Sequence, residues 1–133
     1  MTSGLVFDSN ALLKFFQAES GARAVEKWLR TAERRGWFKY LCAINLGEII
    51  YATKRQYGDQ RKIEVLGHIY RMNFTILPAP DELIFQAAEY KAEYSISYAD
   101  CFVLACAVNH AAAIVTGDPE FRKVAHLAKI HWV

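Results

Sequence analysis

The chain has 133 residues, 53% of them hydrophobic and 23% charged, with a formal net charge of +2. That length fits one domain, 1–133, and that balance excludes disorder, while so small a charge does not by itself point to nucleic acid. No apolar run is long enough to span a bilayer, the start MTSGLVFDSN lacks a basic region and a long apolar segment, and Cys42, Cys101 and Cys106 form no C-x-x-C pair, so neither a disulfide framework nor a zinc cage is expected and the reducing cytoplasm is the natural setting.

Taken in chain order, residues 4–7 read as a short buried strand, and 9–17 as a helix with Leu12, Leu13 and Phe16 on one face. Ser20 can cap a second helix running to about Arg34 and ended by Gly36. WFKYLCA, 37–43, reads as a strand, followed by a helix over 44–57 that Gly58 ends. A helix over 59–71 is expected to turn Ile63, Leu66 and Ile69 or Tyr70 inward. FTIL, 74–77, is a strand stopped by Pro78, and 81–94 is helical. The next helix, 98–110, is apolar nearly all round and is therefore expected at the centre of the molecule. AIVT, 113–116, is a strand, 118–124 a short helix, and KIHWV the last strand. Strands alternating with helices, without hairpin signals, predict a three-layer α/β/α fold around a mostly parallel sheet.

In such sheets ligands bind beyond the carboxyl ends of the strands. Asp8 directly follows the first strand, and Asp118 follows AIVT with only Gly117 between. Each acid also has an ordinary explanation. Asp8 can cap the helix behind it, and Asp118 before Pro119 is a common helix start. Ser97 and Asp100 have capping-box spacing, as do Asn45 and Glu48. Glu48, however, sits among Ile44, Leu46, Ile49 and Ile50, poor company for a solvated acid. As a set, the four carboxylates can face one cleft, where they would repel each other unless a cation neutralised them. Mg²⁺ or Mn²⁺ suits such all-oxygen sites and can activate water against a phosphoryl centre. No phosphate loop, dinucleotide fingerprint, nucleophile elbow or zinc-protease motif competes. The four histidines form no obvious cluster, and Tyr51, Phe85 and Tyr90 stand at core-like helical spacing.

The sequence resembles a known family in four places: VFDSN at the start, an N-x-x-E helix (Asn45, Glu48), S-x-A-D opening an apolar helix (Ser97, Ala99, Asp100), and T-G-D-x-x-F (Thr116, Gly117, Asp118, Phe121). This pattern is similar to the PIN domain, and in size and completeness to the VapC-type toxins of toxin–antitoxin pairs. The resemblance covers the whole chain, the segment 55–95 in element order only. It implies an Mg²⁺- or Mn²⁺-dependent endoribonuclease that hydrolyses RNA with metal-activated water. It also implies that Asp8, Glu48, Asp100 and Asp118 line the metal site, with Asp8 and Asp100 as direct ligands. Thr116 and Ser9 would hold the acids by hydrogen bonds. Cleavage by water would leave 5′-phosphate and 3′-hydroxyl ends. Basic residues must flank so acidic a cleft. The candidates are Lys14, Arg122 and Lys123, then Arg34, Arg35, Lys39, Lys54 and Arg55. The resemblance further implies a VapB-like antitoxin partner, lying among the early helices, and a homodimer.

Three alternatives stay open at this level. A HAD-type phosphatase is disfavoured because its D-x-D motif would need an Asp where Asn10 stands. A PIN nuclease of RNA processing outside a toxin pair and a non-catalytic RNA- or protein-binding PIN domain are the others.

Overall fold

The structure, a computed structural model, describes residues 3–133; Met1 and Thr2 lie outside the described residues. Five strands form one sheet: β1 (Gly4–Phe7), β2 (Phe38–Cys42), β3 (Thr75–Leu77), β4 (Ala113–Thr116) and β5 (Ile130–Trp132). They lie in the order β3-β2-β1-β4-β5, and every pairing is parallel. The helices are α1 (Ser9–Phe16), α2 (Ala22–Arg35), α3 (Ala43–Tyr57), α4 (Asp59–Arg71), α5 (Asp81–Glu93) and α6 (Tyr98–His110), and a short 3-10 helix runs Pro119–Val124.

Side chains of a strand alternate between the two faces of a sheet. Here Leu5, Phe7, Leu41 and Val115 pack on one face with Leu12, Val25, Ile49 and Ile69 of the first four helices. Val6, Tyr40 and Ile114 pack on the other with Leu83 and Ala87 of α5, with α6, and with Phe121 and Val124 of the 3-10 helix. A sheet covered on both faces needs strands that are apolar throughout, which is why GLVF and AIVT carry no alternation. In α6 every residue from Asp100 to Ala107 is buried, as its all-round apolar sequence leads one to expect. Each fully buried Val, Leu or Phe contributes about 1.5–3 kcal/mol, and the layers rest mainly on that burial.

Several local expectations need correction. Ser20 does not cap the second helix: Gly21, in the left-handed region at φ 98°, precedes Ala22, and no side chain caps it. α4 turns Val65 and Ile69 inward and leaves Ile63 and Tyr70 exposed. Tyr51 and Phe85 are exposed too, despite their core-like spacing. The three cysteines are free and buried. No helix among the described residues is long and apolar enough to cross a membrane.

Candidate active site

From β1 the chain moves to β2 and β3 on one side, then returns to β4 on the other. The switch point of the sheet therefore lies between β1 and β4, and Asp8 and Thr116 sit at the carboxyl ends of those two strands. Asp8 is 1% exposed. Its Oδ1 accepts from the Ala11 amide at 2.8 Å, which caps α1, and its Oδ2 accepts a short bond from the Thr116 hydroxyl. That hydroxyl oxygen in turn accepts from the Asp118 amide at 3.0 Å. Asp118 then caps the 3-10 helix through Oδ1, which accepts from the Glu120 amide at 2.9 Å. Asn10 joins the same strand ends: its Oδ1 accepts from the Gly117 amide at 3.0 Å.

Asp100 enters from α6, in the first turn, with its amide donating to the Ser97 hydroxyl at 3.1 Å. Glu48 enters from α3. That helix begins at Ala43, so Glu48 stands in its second turn and is no cap. Its Oε1 accepts from the Ser9 hydroxyl at 2.9 Å and from Asn45 Nδ2 at 3.0 Å. Asn45 is fully buried and also reaches toward the carbonyl of Ala99, next to Asp100, at 3.5 Å. Thus Asn45 and Glu48 do have i, i+3 spacing, but they form a side-chain pair on one helix face that ties α3 to the start of α6.

The four acids are drawn together strongly enough to perturb one another. Burial pushes Asp8 up from 3.8 to about 7, against the bonds from Thr116 and Ala11, and the charges of Asp118 and Glu48 add to the rise. Asp100 also rises to about 7, through burial first and then the charges of Asp118 and Asp8. The cap readings and the cluster reading are both satisfied at Asp8 and Asp118. For Asp100 the cap comes from Ser97.

A family model for the PIN domain matches residues 5–127. The chain belongs to the PIN-domain family. Its fold matches several solved structures. The first is VapBC2 of Rickettsia felis bound to a DNA fragment from its promoter, with TM-score 0.77, 14% identity and 96% of each chain covered. The second is VapC20 of Mycobacterium tuberculosis, a toxin that cleaves the sarcin-ricin loop. It has TM-score 0.78 and 13% identity, covering 91% of this chain and 95% of that one. The third is a toxin–antitoxin complex from Klebsiella pneumoniae, with TM-score 0.69 and 20% identity, covering 98% of this chain and 100% of that one. The sequence matches no curated protein.

The residues of this PIN domain fit a hard divalent cation of one particular kind. Every donor in the cluster is an oxygen, which suits Mg²⁺ or Mn²⁺. Among the described residues no three acidic, histidine or cysteine side chains are grouped to hold an ion by themselves. Both oxygens of Asp8 and Oε1 of Glu48 accept from protein donors, which fixes their direction and leaves each a further lone pair. Mg²⁺ keeps several waters and is bound through one or two carboxylates, so a sparse, water-rich set fits it better than a cage would. The same cluster contains the one buried side-chain polar atom without a partner among the described residues, Asn45 Oδ1.

The basic candidates separate by position. Arg122 is exposed on the 3-10 helix that Asp118 caps. Lys123 beside it is engaged by Glu120 and by the Ser95 carbonyl at 2.8 Å. Lys14 donates to the Val133 carbonyl at 3.3 Å and lies against Gly117. Lys39 lies near the amino end of β2, level with Leu5, and is buried against Glu33 at 2.8 Å, so it does not flank the site. Arg35 stacks on Trp37, just before β2 and at the same far end of the sheet. Lys54 pairs with Asp59 and Arg55 lies over Tyr51, both in the last turn of α3. Asn10 and Asn45 are the polar residues that sequence reasoning left without a site role. Both stand inside quoted motifs, DSN and N-x-x-E, which was the available signal.

Proposed function

We propose that this PIN domain is an Mg²⁺- or Mn²⁺-dependent endoribonuclease, the toxin of a VapBC-type pair. One observation carries the reading: four carboxylates from four separate segments converge at the switch point of the sheet, where burial first and the neighbouring acids second raise Asp8 and Asp100 to about 7. Burying carboxylates beside one another costs stability, and a divalent cation offsets both the burial and the repulsion.

When bound, the cation would supply charge to activate a water and to stabilise the phosphoryl transition state. Asp8 and Asp100 would hold it directly, with Glu48 and Asp118 completing its surroundings. The protein's own groups then have definable tasks. Thr116 fixes Asp8 and, through the same hydroxyl, the Asp118 amide. Ser9 and Asn45 fix Oε1 of Glu48, so Oε2 is the oxygen left to take a proton from an attacking water. That water would displace the 3′-oxygen and leave 5′-phosphate and 3′-hydroxyl ends. The histidines have no place in this scheme. His131 stacks on Trp28, and His110 lies tilted against Tyr40.

The fold likeness to VapC-type chains supports a small VapB-like antitoxin as partner and the cytoplasm as the setting. The exposed apolar side chains of α3 and α4, Ile44, Tyr51, Tyr57, Ile63 and Tyr70, give that partner or a second copy a surface to cover.

The test is cleavage of end-labelled total RNA by purified protein with Mg²⁺ or Mn²⁺, beside a chelator control and Asp100→Asn. Discrete cuts bearing 5′-phosphate, lost with chelator and with Asp100→Asn, are expected. RNA left intact by folded, metal-supplemented protein would refute the nuclease reading.

A further inference from the structure

We infer that Trp132 and Arg122 form a stacking platform for one nucleobase of the substrate, beside the acid cluster; this rests on the reading that the substrate is RNA. Trp132 ends β5, the edge strand of the sheet, and its Cα is paired with that of Thr116 on β4. Neighbouring strands lie about 4.8 Å apart. Trp132 therefore stands one strand away from the residue that binds Asp8 and Asp118. Residues paired in a parallel ladder project from the same face, so Trp132 shares the face of Thr116, the one on which α6 and the 3-10 helix pack.

Most of the aromatic surface in this protein is accounted for by packing. The ring of Trp28 is stacked on His131 at 3.8 Å, and Phe7 meets Phe74 edge-on. Trp132 is different: it is 46% exposed, at the carboxyl edge of the sheet where the substrate has to lie. Of the other exposed aromatic rings, Tyr51, Tyr57, Tyr70, Phe85 and Tyr98 are on helices, and Phe38, as exposed as Trp132, begins β2 at the amino edge of the sheet, where it stacks on Tyr40.

Arg122 supplies the second half of the platform. Its guanidinium carbon lies 5.9 Å from the centre of the Trp132 ring, and it projects from the 3-10 helix that Asp118 begins. Among the described residues it makes no ion pair, whereas Lys123 is tied to Glu120. The guanidinium lies over the indole ring, so the pair offers a base the outer plane of the guanidinium and the uncovered part of the ring, and the guanidinium also offers charge to the adjoining phosphate. Such a contact tolerates any base, because every base has a π face. It would place the phosphate next to the stacked base over the acids, which repel the backbone unless something else holds it.

The experiment separates binding from cleavage. A fluorescently labelled single-stranded 12-mer RNA is titrated with wild type, Trp132→Leu, Trp132→Phe and Arg122→Lys in chelator, where no cut is made. The same proteins are assayed for cleavage with Mn²⁺. Trp132→Leu should raise Kd about 10- to 100-fold, while Trp132→Phe, which keeps an aromatic face, should stay within about tenfold of wild type. Arg122→Lys, which keeps the charge and loses the plane, should fall between. An abasic 12-mer should bind wild type and Trp132→Leu alike. Equal Kd values for wild type and Trp132→Leu on the base-bearing RNA would overturn the platform. The nuclease reading would still stand if the wild type cuts and Asp100→Asn does not. Binding that needs Trp132 without any metal-dependent cutting would support the platform and overturn the nuclease reading. No binding of RNA by the wild type would overturn both.

Discussion

Replacing Asp8 with Asn should make the metal-free protein more stable at pH 8, although it removes the residue most central to the site. In the unfolded chain this carboxyl loses its proton near the ordinary 3.8; in the folded protein it keeps it to about 7. Between those values the folded state binds the extra proton, so stability falls as pH rises through the window and is lowest above 7. A rise of about three pKa units corresponds to about 4 kcal/mol once both forms are ionised, and about 2–3 kcal/mol of it is lost between pH 5 and 8. For a domain of this size that is about 10 °C in melting temperature. Asn has the shape of the protonated acid and still offers an oxygen to the Ala11 amide, so the cap of α1 survives. The assay is thermal unfolding in chelator at pH 5, 6, 7 and 8 for wild type and Asp8→Asn in the same buffers, so that all other titrations cancel. The wild type should lose stability steadily, with Asp100 adding in the same direction, and the variant should lose much less. Saturating Mg²⁺ should restore the wild type at pH 8 and do little for the variant. Parallel pH profiles for the two proteins would refute the argument, because they would mean that Asp8 is no more protonated in the fold than out of it.

Two further outcomes follow from particular contacts. Thr116→Val is nearly isosteric but leaves Asp8 Oδ2 and the Asp118 amide each without a partner, so it should cost about 1–3 kcal/mol in denaturant unfolding. It should lower the cleavage rate at saturating RNA more than it weakens RNA binding. Gly117→Ala would place a methyl carbon 2.1 Å from Lys14 Nζ and 2.7 Å from the Val133 carbonyl oxygen. The lysine tip can swing aside, whereas shifting Val133 strains the bond its amide makes to the Thr116 carbonyl, so unfolding should again show a loss of about 1–3 kcal/mol. Adding Lys14→Ala should relieve only a minor part of it.

The element order was readable because each strand is a short apolar run closed by a turn residue or a helix start, and each helix has a recognisable end. Gly36, for instance, ends α2 in the left-handed region at φ 67°. The start of α2 was misread because Ser20 looks like a cap in isolation, while the backbone turns at Gly21 one residue later. The inward face of α4 was misread for a different reason. Val65 and Ile69 lie on a narrow stripe, and Ile63 and Tyr70, equally apolar, face outward where no neighbouring helix covers them. At the site, the acids were legible as strand-end residues, because the sheet rule needs only the order of elements. What held them was less legible. Asn45 and Asn10 act across the tertiary structure, on Glu48 beside Ala99 and on Gly117, and spacing along one helix or loop does not reveal such partners. Trp132 was invisible for the same reason, since its relation to Thr116 exists only through strand pairing.

The bond from Thr116 to Asp8 joins residues 108 positions apart, and β1 lies between strands that the chain makes much later. Contacts of such long range form late and slowly in folding, because much of the chain must be ordered before they can close. The acid cluster is therefore a property of the finished molecule. A fragment holding only β1 to β3 contains Asp8 and Glu48 but neither Asp100 nor Asp118. Proteolysis anywhere in the intervening hundred residues, if followed by separation of the pieces, would dismantle the site as surely as it would dismantle the sheet. A cut chain whose pieces part therefore keeps no smaller version of the four-acid cluster.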